Sequence, residues 1–378
     1  MYRSISVLSL ALATTFASAV LASAQVTSSP TDANSSSPVA YVYVSSTPGS
    51  GTNQINVYAA ASNGTLRAAK GSPFPTTVSY MAVNGKYLFG TDGSNIDSFA
   101  ISSDGALEQV DSYSAEPDGG LSSIYLDRSV KTLYADYYTI NNDYLSYGID
   151  NTTGQLSFVS DLPGGPPNNS PVSFIGNDEF AYSSSCYHFG PEIIGVQRAG
   201  DGALSYLSST SPFPTTPSGD FYCPWLAAAD PTDHIAIAMQ PLNGNWTTMG
   251  PYQLASYTVD STGNLTTSSS YSNMPQTLVG TVNDYHISPS GKLLAIGGSS
   301  GLQLFHFNGA NPITKYTKLL TTEPVTQIFW DNANHLYAIS QEAGTLYVYT
   351  VTSTSVTAAP GSPYTIPGIE ELIVLPKS

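Results

Sequence analysis

Residues 55–66 read INVYAAASNGTL, a short run of alternating apolar and polar side chains followed by a turn of the form Gly-x-Leu. Period-two alternation with β-branched and aromatic residues predicts a β-strand, and an Asn-Gly pair predicts a tight turn after it. A unit that recurs along a chain is typical of a repeat architecture. The same turn follows four later runs, as Asp104-Gly105-Ala106-Leu107, Thr153-Gly154-Gln155-Leu156, Asp201-Gly202-Ala203-Leu204 and Thr262-Gly263-Asn264-Leu265.

Each repeated unit contains three recognisable strands. The run before the turn occurs seven times, at residues 55–59, 96–101, 144–149, 192–197, 254–259, 302–307 and 346–351. After the last two runs the turn has drifted from the Gly-x-Leu form. A second β-prone segment precedes each run, at residues 40–44, 87–90, 132–135, 179–183, 234–238, 292–296 and 335–339. A third segment precedes the second across a tight turn, and six copies lie in this order, at residues 80–83, 123–126, 173–175, 225–229, 285–288 and 327–330.

The seventh copy of the third segment lies at the extreme C-terminus, at residues 371–375. Closure of a ring accounts for this arrangement, because the spare strand at the end of the chain supplies the strand that the first unit lacks. The sequence therefore predicts an all-β fold, a seven-bladed β-propeller of four-stranded blades over residues 39–378, in which the C-terminal strand completes blade one. An open β-solenoid is the alternative, but it needs capping repeats and does not need the displaced strand.

The composition agrees with an all-β repeat and excludes one class of partner. The chain has 26 Tyr, 32 Gly and 26 Pro residues but only 10% charged ones, which does not suit a helical or coiled-coil protein. Its 27 acidic and 11 basic residues give a formal charge of −16. Because nucleic-acid binders carry clustered Lys and Arg, this balance excludes a nucleic-acid partner.

The N-terminus predicts export. Arg3 precedes an uncharged stretch over residues 5–20, and residues 22–24 read Ala-Ser-Ala, a small-residue cleavage site. Together they indicate a signal peptide over residues 1–24, followed by a polar, flexible leader over residues 25–38. An uncleaved membrane anchor is the alternative, although the apolar core is shorter than the ~20 residues that a span requires. We therefore expect a secreted or periplasmic protein with no membrane span after cleavage.

The predicted topology divides the loops between two faces of the propeller. Loops from the second strand to the third, and links that enter each innermost strand, emerge on one face, where binding residues converge at the channel mouth. Cys186 and Cys223 fall on this face in adjacent blades, which predicts a disulfide in an oxidising compartment, with two free thiols as the alternative. Neither the second-to-third loops nor the starts of the innermost strands contain Arg or Lys, so a highly anionic ligand is not expected there.

The side chains that the sequence places at the mouth are aromatic rings, amides and carboxylates, which suit a neutral polyhydroxylated ligand such as a sugar. The candidate ligand-binding residues are Asp92, Tyr137, Tyr187, Tyr222, Trp225, Asn283, Gln341 and Glu342. An ordinary polar loop surface would contain the same residue types. The sequence has no metal-binding, nucleophile-elbow or phosphate-loop motif, and we expect no metal ion and no cofactor.

Two histidines and two aspartates are candidates for acid–base chemistry. His286 belongs to an innermost strand and His188 to a loop of the mouth, and either can act as a general base. Asp136 and Asp284 fall on the same face and are candidates to orient that base. Histidines that are merely exposed in loops or structural in inner strands are common, so both of these alternatives stay open.

Two further motifs carry a resemblance to a known family. Residues 285–294 read YHISPSGKLL, and residues 71–74 and 361–364 read GSPF and GSPY, with an echo, SPF, at residues 211–213. In these motifs and in its repeats the chain resembles the bacterial lactonase family of seven-bladed propellers, whose best-known members hydrolyse 6-phosphogluconolactone. The resemblance implies lactone hydrolysis, a carboxylic ester hydrolase activity, with His286 on a matching inner-strand position.

The family's basic residues around the channel are not matched in this chain. Gly297 and Gly298 stand where an Asn or Arg commonly follows the second strand. We therefore expect a neutral sugar or acyl lactone as substrate, with water attacking the lactone carbonyl and His286 or His188 as base. The competing interpretation is a non-catalytic propeller that binds a glycan, a small ligand or a protein partner. A monomer is expected in either case.

Overall fold

Strands make up the regular structure of the part of the chain that can be described. Within that part thirty β-strands form seven antiparallel sheets, and each sheet contains one four-stranded blade. The predicted signal peptide and nearly all of the predicted leader lie outside it. The computed structural model describes residues 37–377 apart from residues 50, 116–119, 139–141, 166–170, 188–189, 209–210 and 218.

Every blade runs from an innermost strand at the channel to an outer strand at the rim, and its strands are named in that order. Blade one contains β30 (Ile369–Pro376), β1 (Ala40–Ser46), β2 (Gln54–Ala60) and β3 (Leu66–Ala68), and blade two contains β5 (Tyr80–Val83), β6 (Tyr87–Thr91), β7 (Asn95–Ile101) and β8 (Leu107–Ser114). Blade three contains β9 (Leu121–Leu126), β10 (Thr132–Tyr138), β11 (Asn142–Ile149) and β12 (Leu156–Gly165), and blade four contains β13 (Ser173–Phe174), β14 (Phe180–Tyr187), β15 (Gly190–Arg198) and β16 (Leu204–Tyr206).

The remaining three blades follow the same order. Blade five contains β17 (Asp220–Ala229), β18 (His234–Asn243), β19 (Gln253–Val259) and β20 (Leu265–Thr266), and blade six contains β21 (Val282–Ile287), β22 (Leu293–Gly298), β23 (Gly301–Asn308) and β24 (Asn311–Lys315). Blade seven contains β25 (Gln327–Trp330), β26 (His335–Ser340), β27 (Thr345–Val351) and β28 (Val356–Ala358). Two short strands, β4 (Phe74–Pro75) and β29 (Tyr364–Thr365), add to the outer halves of blades one and seven by pairing with β2 and β27.

The C-terminal strand closes the ring. β30 pairs antiparallel with β1, starting from Ala40 opposite Pro376, and so covers an inner edge of β1 that would otherwise be unpaired. Leu372 and Val374 of β30 are buried in a cluster with apolar side chains of blade seven. The strand therefore completes both the sheet of blade one and the packing between the last blade and the first. This confirms the predicted seven-bladed propeller and excludes the open solenoid.

The Gly-x-Leu turns pack each blade against the preceding one. In all five turns the glycine lies against a residue at the start of the second strand of the preceding blade. For Gly105 that residue is Tyr41, and a Cβ atom on Gly105 would lie 2.5 Å from the Tyr41 ring. Gly105 also has a φ of +86°, in the left-handed region that other residues adopt only at a cost of about 1 kcal/mol or more. The lack of space for a Cβ atom and the left-handed backbone conformation therefore both favour glycine at position 105.

Buried tyrosines extend the same contact. The hydroxyl of Tyr134 in β10 donates to the Gly202 carbonyl oxygen at 2.8 Å, and the hydroxyl of Tyr182 in β14 donates to the Gly263 carbonyl oxygen at 2.7 Å. A phenol suits this position because its ring fills the space between two blades while its hydroxyl finds the partner that a buried polar group requires. The repeat thus couples a tyrosine in one blade to a turn in the next.

We predict that Gly105→Ala lowers the free energy of unfolding by about 2–4 kcal/mol, because the new methyl group clashes with Tyr41 and the backbone is strained. Gly85→Ala is the matched control, since Gly85 has a φ of +94° and open space where its Cβ would lie. The control should lose only about 1–2 kcal/mol, the cost of the backbone conformation alone. Urea titrations of both variants measure the difference, and equal losses would contradict the packing role of the turn.

Candidate functional site

Three adjacent innermost strands begin with polar side chains at the channel mouth. Asp284 of β21, Gln327 of β25 and Glu371 of β30 belong to blades six, seven and one, and we call these three residues the polar arc. Innermost strands are edge strands, and the N–H groups along their free edges need partners. Two residues of the arc each accept a hydrogen bond from a backbone N–H of the next innermost strand: Asp284 Oδ2 from Ile328 (2.7 Å) and Gln327 Oε1 from Leu372 (2.7 Å).

Asp284 and His286 form a pair in the channel wall. Two residues apart on β21, they lie on the same face of the strand, and His286 Nε2 is 3.2 Å from Asp284 Oδ1. Because a carboxylate only accepts, Nε2 carries the hydrogen and Nδ1 keeps its lone pair. The His286 ring is held from the next blade by the Phe329 ring, with a centroid separation of 4.9 Å. Its side chain is 38% exposed, so a small molecule in the channel can reach it.

The charge of Asp284 changes the basicity of its partner. Burial lowers the pKa of His286, but the Asp284 carboxylate raises it more, and the net pKa lies above the usual 6.5. Asp284 is also held on its other oxygen by the Ile328 N–H. A fixed carboxylate that orients an imidazole and strengthens it as a base is the arrangement that general-base catalysis requires. Of the four predicted catalytic residues, the structure brings these two together.

Glu371 belongs to this site and is absent from the sequence-based candidates. Burial raises the pKa of its carboxyl well above 4.5, although the nearby Met81 N–H and Gln327 side chain act to lower it. Its Oε2 atom is buried, and it has no hydrogen-bond partner among the described residues. The sequence does contain a signal for it, because residues 371–375 read as an innermost strand whose start faces the mouth.

Four other predicted ligand-binding residues lie at strand starts or loops of the mouth. Asn283 is exposed, and its amide donates to the Val325 carbonyl oxygen at 2.9 Å. Trp225 is half-buried, and its indole N–H donates to the Val282 carbonyl oxygen at 3.0 Å. Gln341 is exposed and donates to the carbonyl oxygen of Glu370, while Glu342 is exposed beside it. Their polar groups partly serve contacts between blades.

Asp92 and Tyr137 have mainly local roles. Asp92 Oδ1 accepts hydrogen bonds from the N–H groups of Ser94 (2.9 Å) and Asn95 (2.8 Å), which shapes the turn between β6 and β7. Tyr137 is half-buried against the apolar cluster that joins blades two and three. Tyr187 ends β14, but its side chain lies outside the described residues, as does the whole of His188.

Asp136 and Tyr222 are not on the mouth surface, where the sequence-based expectation puts them. Asp136 is 1% exposed in β10, with the Ser123 hydroxyl 2.6 Å from Oδ2 and the Tyr125 hydroxyl 3.1 Å from Oδ1. Tyr222 is also 1% exposed, and its hydroxyl donates to Gln253 Oε1 at 2.7 Å. Both are buried because β10 and β17 extend further towards the mouth than predicted, so these residues occupy core-facing strand positions.

Cys186 and Cys223 form a disulfide between blades four and five. Their Cα atoms are 5.2 Å apart, and the bond joins the second strand of blade four, β14, to the innermost strand of blade five, β17. The cross-link closes a loop over a sequence separation of 37 residues. It therefore fastens two blades together on the side of the propeller that carries the mouth.

We predict that the double variant Cys186→Ser/Cys223→Ser unfolds with a free energy about 4 kcal/mol lower than the parent chain, because the cross-link restricts the unfolded chain. Urea denaturation under oxidising conditions measures the loss. Wild-type protein treated with a thiol reductant is the control and should match the variant. An unchanged unfolding midpoint in the variant would show that the cross-link does not stabilise the fold.

Two described arginines, Arg128 and Arg198, make structural contacts at the end of the propeller opposite the mouth. Arg128 bridges three blades there, since Nε donates to the Phe174 carbonyl oxygen (2.6 Å) and Nη2 to that of Ala229 (2.9 Å). Arg198 pairs with the buried Asp127 at 2.6 Å. Neither guanidinium is at the mouth.

Within the described ranges, no cluster of three or more His, Cys, Asp or Glu side chains is arranged to hold a metal ion, and no helix could cross a lipid bilayer.

Comparison with known proteins supports the fold at low sequence identity. No protein-family model and no curated protein sequence matches the chain. The solved structure of a candidate 6-phosphogluconolactonase from Bacteroides uniformis superposes with a TM-score of 0.66 at 13% identity, over 90% of this chain and 100% of that one. A second candidate 6-phosphogluconolactonase, from Bacteroides fragilis, gives 0.65 at 13% identity, over 91% of this chain and 100% of that one.

A third solved structure with the same architecture is that of a periplasmic protein. The periplasmic gluconolactonase of Pseudomonas aeruginosa superposes with a TM-score of 0.62 at 14% identity, over 89% of this chain and 99% of that one. The coverage shows that these chains match this one along almost their whole length. The chain therefore has the seven-bladed fold of bacterial lactonase-like propellers.

Proposed function

We propose that the chain is an exported lactone hydrolase that acts on a neutral sugar or acyl lactone at the channel mouth. The observation that carries this proposal is the Asp284–His286 pair in the channel wall, with 3.2 Å between Oδ1 and Nε2. The lactonase-like neighbours support the reaction class, since they include a gluconolactonase. The disulfide supports export to a secreted or periplasmic location, because such bonds persist in oxidising compartments.

The proposed reaction uses the histidine as general base. A water molecule attacks the lactone carbonyl carbon while His286 takes its proton on Nδ1, and Asp284 holds the ring and stabilises the imidazolium that forms. The carbonyl–ring oxygen bond then breaks, and the ring oxygen takes a proton to give the hydroxy acid. General-base catalysis of this kind contributes about 10²–10⁴-fold to a rate.

A neutral substrate is proposed because no loop between a second and a third strand, and no start of an innermost strand, contains an Arg or a Lys that could bind an anion at the mouth. The carboxylate of Asp284 in the polar arc accepts hydrogen bonds from hydroxyl groups but repels a phosphate. The net charge of −16 adds a long-range field that disfavours anionic substrates.

A pH-stat assay tests the proposal with three substrates: glucono-1,5-lactone, an N-acyl homoserine lactone and 6-phosphogluconolactone. We expect hydrolysis of at least one neutral lactone above its spontaneous rate, and slower turnover of the phosphorylated one. If none of the lactones is hydrolysed faster than in buffer, the enzymatic function is wrong and the non-catalytic binding module is favoured. Faster turnover of the phosphorylated lactone would overturn the substrate class alone.

A further inference from the structure

The innermost strand of blade five is longer than those of the blades beside it. β17 has ten residues, whereas β13 of blade four and β21 of blade six have two and six. Its first residues, 220–224, pair with residues 239–243 at the end of β18, on the side of the propeller that carries the mouth. We call these two paired segments, together with the loop over residues 244–250, the blade-five ribbon.

The base of the ribbon is fastened to the body of the propeller. Cys223 is bonded to Cys186 of blade four. Next to it, the hydroxyl of the buried Tyr222 donates to Gln253 Oε1 of β19 at 2.7 Å. A surface that is fixed before a ligand arrives avoids the entropy loss of ordering a flexible loop during binding. The ribbon therefore presents its tip in a defined position.

A tryptophan at the tip of the ribbon has a strained backbone. Trp246 has a φ of +61°, in the left-handed region that bulky residues seldom adopt. The turn is held by Asn243, whose Oδ1 accepts the N–H groups of Asn245 (2.9 Å) and Thr247 (3.0 Å). A Gly or an Asn would adopt this conformation at less cost than Trp. Strain of this kind at an exposed side chain points to a function for that side chain.

The indole of Trp246 is both exposed and oriented. The residue is 54% exposed, so most of the hydrophobic stabilisation that a buried indole gives is not used in the fold. The Phe221 ring of β17 contacts it with a centroid separation of 4.9 Å and an interplanar angle of 71°. This edge-to-face contact fixes the orientation of the indole. A fixed and open aromatic surface is suited to stacking against the apolar face of a ligand.

The side chains around the indole are polar and uncharged. Residues 235–259 contain no Asp, Glu, Lys or Arg. Asn245, Thr247 and Thr248, which flank Trp246, are exposed, and their amide and hydroxyl groups have no hydrogen-bond partner among the described residues. These groups supply donors and acceptors for the hydroxyl groups of a ligand. An aromatic plane with such neighbours matches a sugar ring, which has apolar C–H faces and a rim of hydroxyl groups.

A lipid surface and a second protein fit the ribbon less well. Anionic lipids attract Lys and Arg side chains, which the ribbon lacks, and they repel a chain with a net charge of −16. A specific protein interface needs about 800 Å² on each partner. The exposed large apolar side chains of the ribbon are those of Trp246 and Met249, on a narrow two-stranded projection. The chemistry of the tip therefore favours a small, neutral and polyhydroxylated ligand.

We propose that the tip of the blade-five ribbon is a binding site for a neutral saccharide. One sugar ring stacks on the Trp246 indole. Its hydroxyl groups bond to the side chains of Asn245, Thr247 and Thr248. This inference does not rest on lactone hydrolysis, because none of the proposed catalytic residues belongs to the ribbon. It adds a second site, outside the channel, on the side of the propeller that carries the mouth.

Tryptophan fluorescence reports on this site. Of the three tryptophans, Trp330 is 7% exposed and Trp225 is half-buried, so acrylamide should quench Trp246 most strongly. Cellotetraose, maltotetraose and mannotetraose are titrated separately into the protein. We expect at least one of them to shift the emission to shorter wavelength and to protect it from acrylamide. If none of the three changes the emission or the quenching, the proposal is wrong.

A substitution at the tip tests the role of the indole. Trp246→Asn keeps the left-handed turn, which Asn tolerates, but removes the stacking surface. We expect its affinity for the saccharide, measured by isothermal titration calorimetry, to fall by about tenfold or more. Phe158→Ala is the matched control, because it removes an equally exposed aromatic ring from the outer strand of blade three and should not change the affinity. Unchanged affinity in Trp246→Asn, or an equal loss in both variants, overturns the proposal.

The other possible occupants give different results in two further measurements. A fluorescence response to vesicles of phosphatidylcholine and phosphatidylglycerol, with none to the saccharides, would assign the tip to a lipid surface. A wild-type dimer in sedimentation velocity that Trp246→Asn converts to a monomer would assign it to a second copy of the chain. Either result overturns the saccharide site, whereas a saccharide response without them supports it.

Discussion

A His286→Asn variant is expected to hydrolyse lactones with a kcat/KM about 10²–10⁴-fold lower than the wild type, because it lacks the proposed base that takes the proton of the attacking water. Asn keeps the polar character of the position and leaves the strand pairing of β21 intact. The measurement is initial rate against lactone concentration at constant pH. His306→Asn is the matched control, since His306 is half-buried against Tyr316 in the outer part of blade six and should leave the rate unchanged.

The pH profile separates a catalytic histidine from a structural one. The base must be neutral, so kcat/KM should rise with pH through the pKa of His286, which Asp284 holds above 6.5. Asp284→Asn removes that carboxylate, and the acidic limb of the profile should therefore move to lower pH while the maximal rate falls. A variant whose rate falls with no movement of the limb would contradict the assignment of His286 as the titrating base.

The second large effect is on stability and involves Asp136. Burial raises the pKa of Asp136 from 3.8 to about 7, although hydrogen bonds from Ser123 and Tyr125 oppose the shift. The folded pKa is therefore above the unfolded one. The protonated group contributes its full stability below about pH 4, and this contribution is lost as pH rises to 7. At about 1.4 kcal/mol per pH unit, the loss over this range is about 4 kcal/mol.

An Asp136→Asn variant isolates this contribution, because it keeps the shape and hydrogen-bonding capacity of the group but does not titrate. The free energies of unfolding of both proteins are measured by urea denaturation between pH 4 and pH 8. The wild type should lose stability relative to the variant by about 4 kcal/mol across this range. If the difference between the two proteins stays constant with pH, Asp136 is ionised in the folded protein and its burial has another explanation.

The fold is predictable from the sequence because its signals are local and repeated seven times. Three signals can each be recognised within a short segment: period-two alternation, the glycine of the Gly-x-Leu turn and the displaced strand at residues 371–375. The structure contains the corresponding strands. Strand ends are less predictable. β10 continues to Tyr138 and β17 begins at Asp220, so two residues predicted at the mouth belong to the core.

The position of Asp136 shows why strand ends matter for the site. It follows Tyr134 by two residues, and alternation puts both side chains on the same face of β10, towards blade four. A predicted strand that ends at Ala135 leaves Asp136 free to be a loop residue. Extending the strand by one residue, under the same period-two rule, buries it together with the tyrosine.

The sequence by itself determined the number of blades and the way the ring closes, because composition and short-range periodicity carry that information. Only the tertiary structure decided which side chains meet at the mouth. Asp284, Gln327 and Glu371 come from three blades, and their contact depends on how the edges of three innermost strands are aligned around the channel. A period of two residues tells which face of a blade a side chain occupies, but it does not tell which neighbour from the next blade lies opposite.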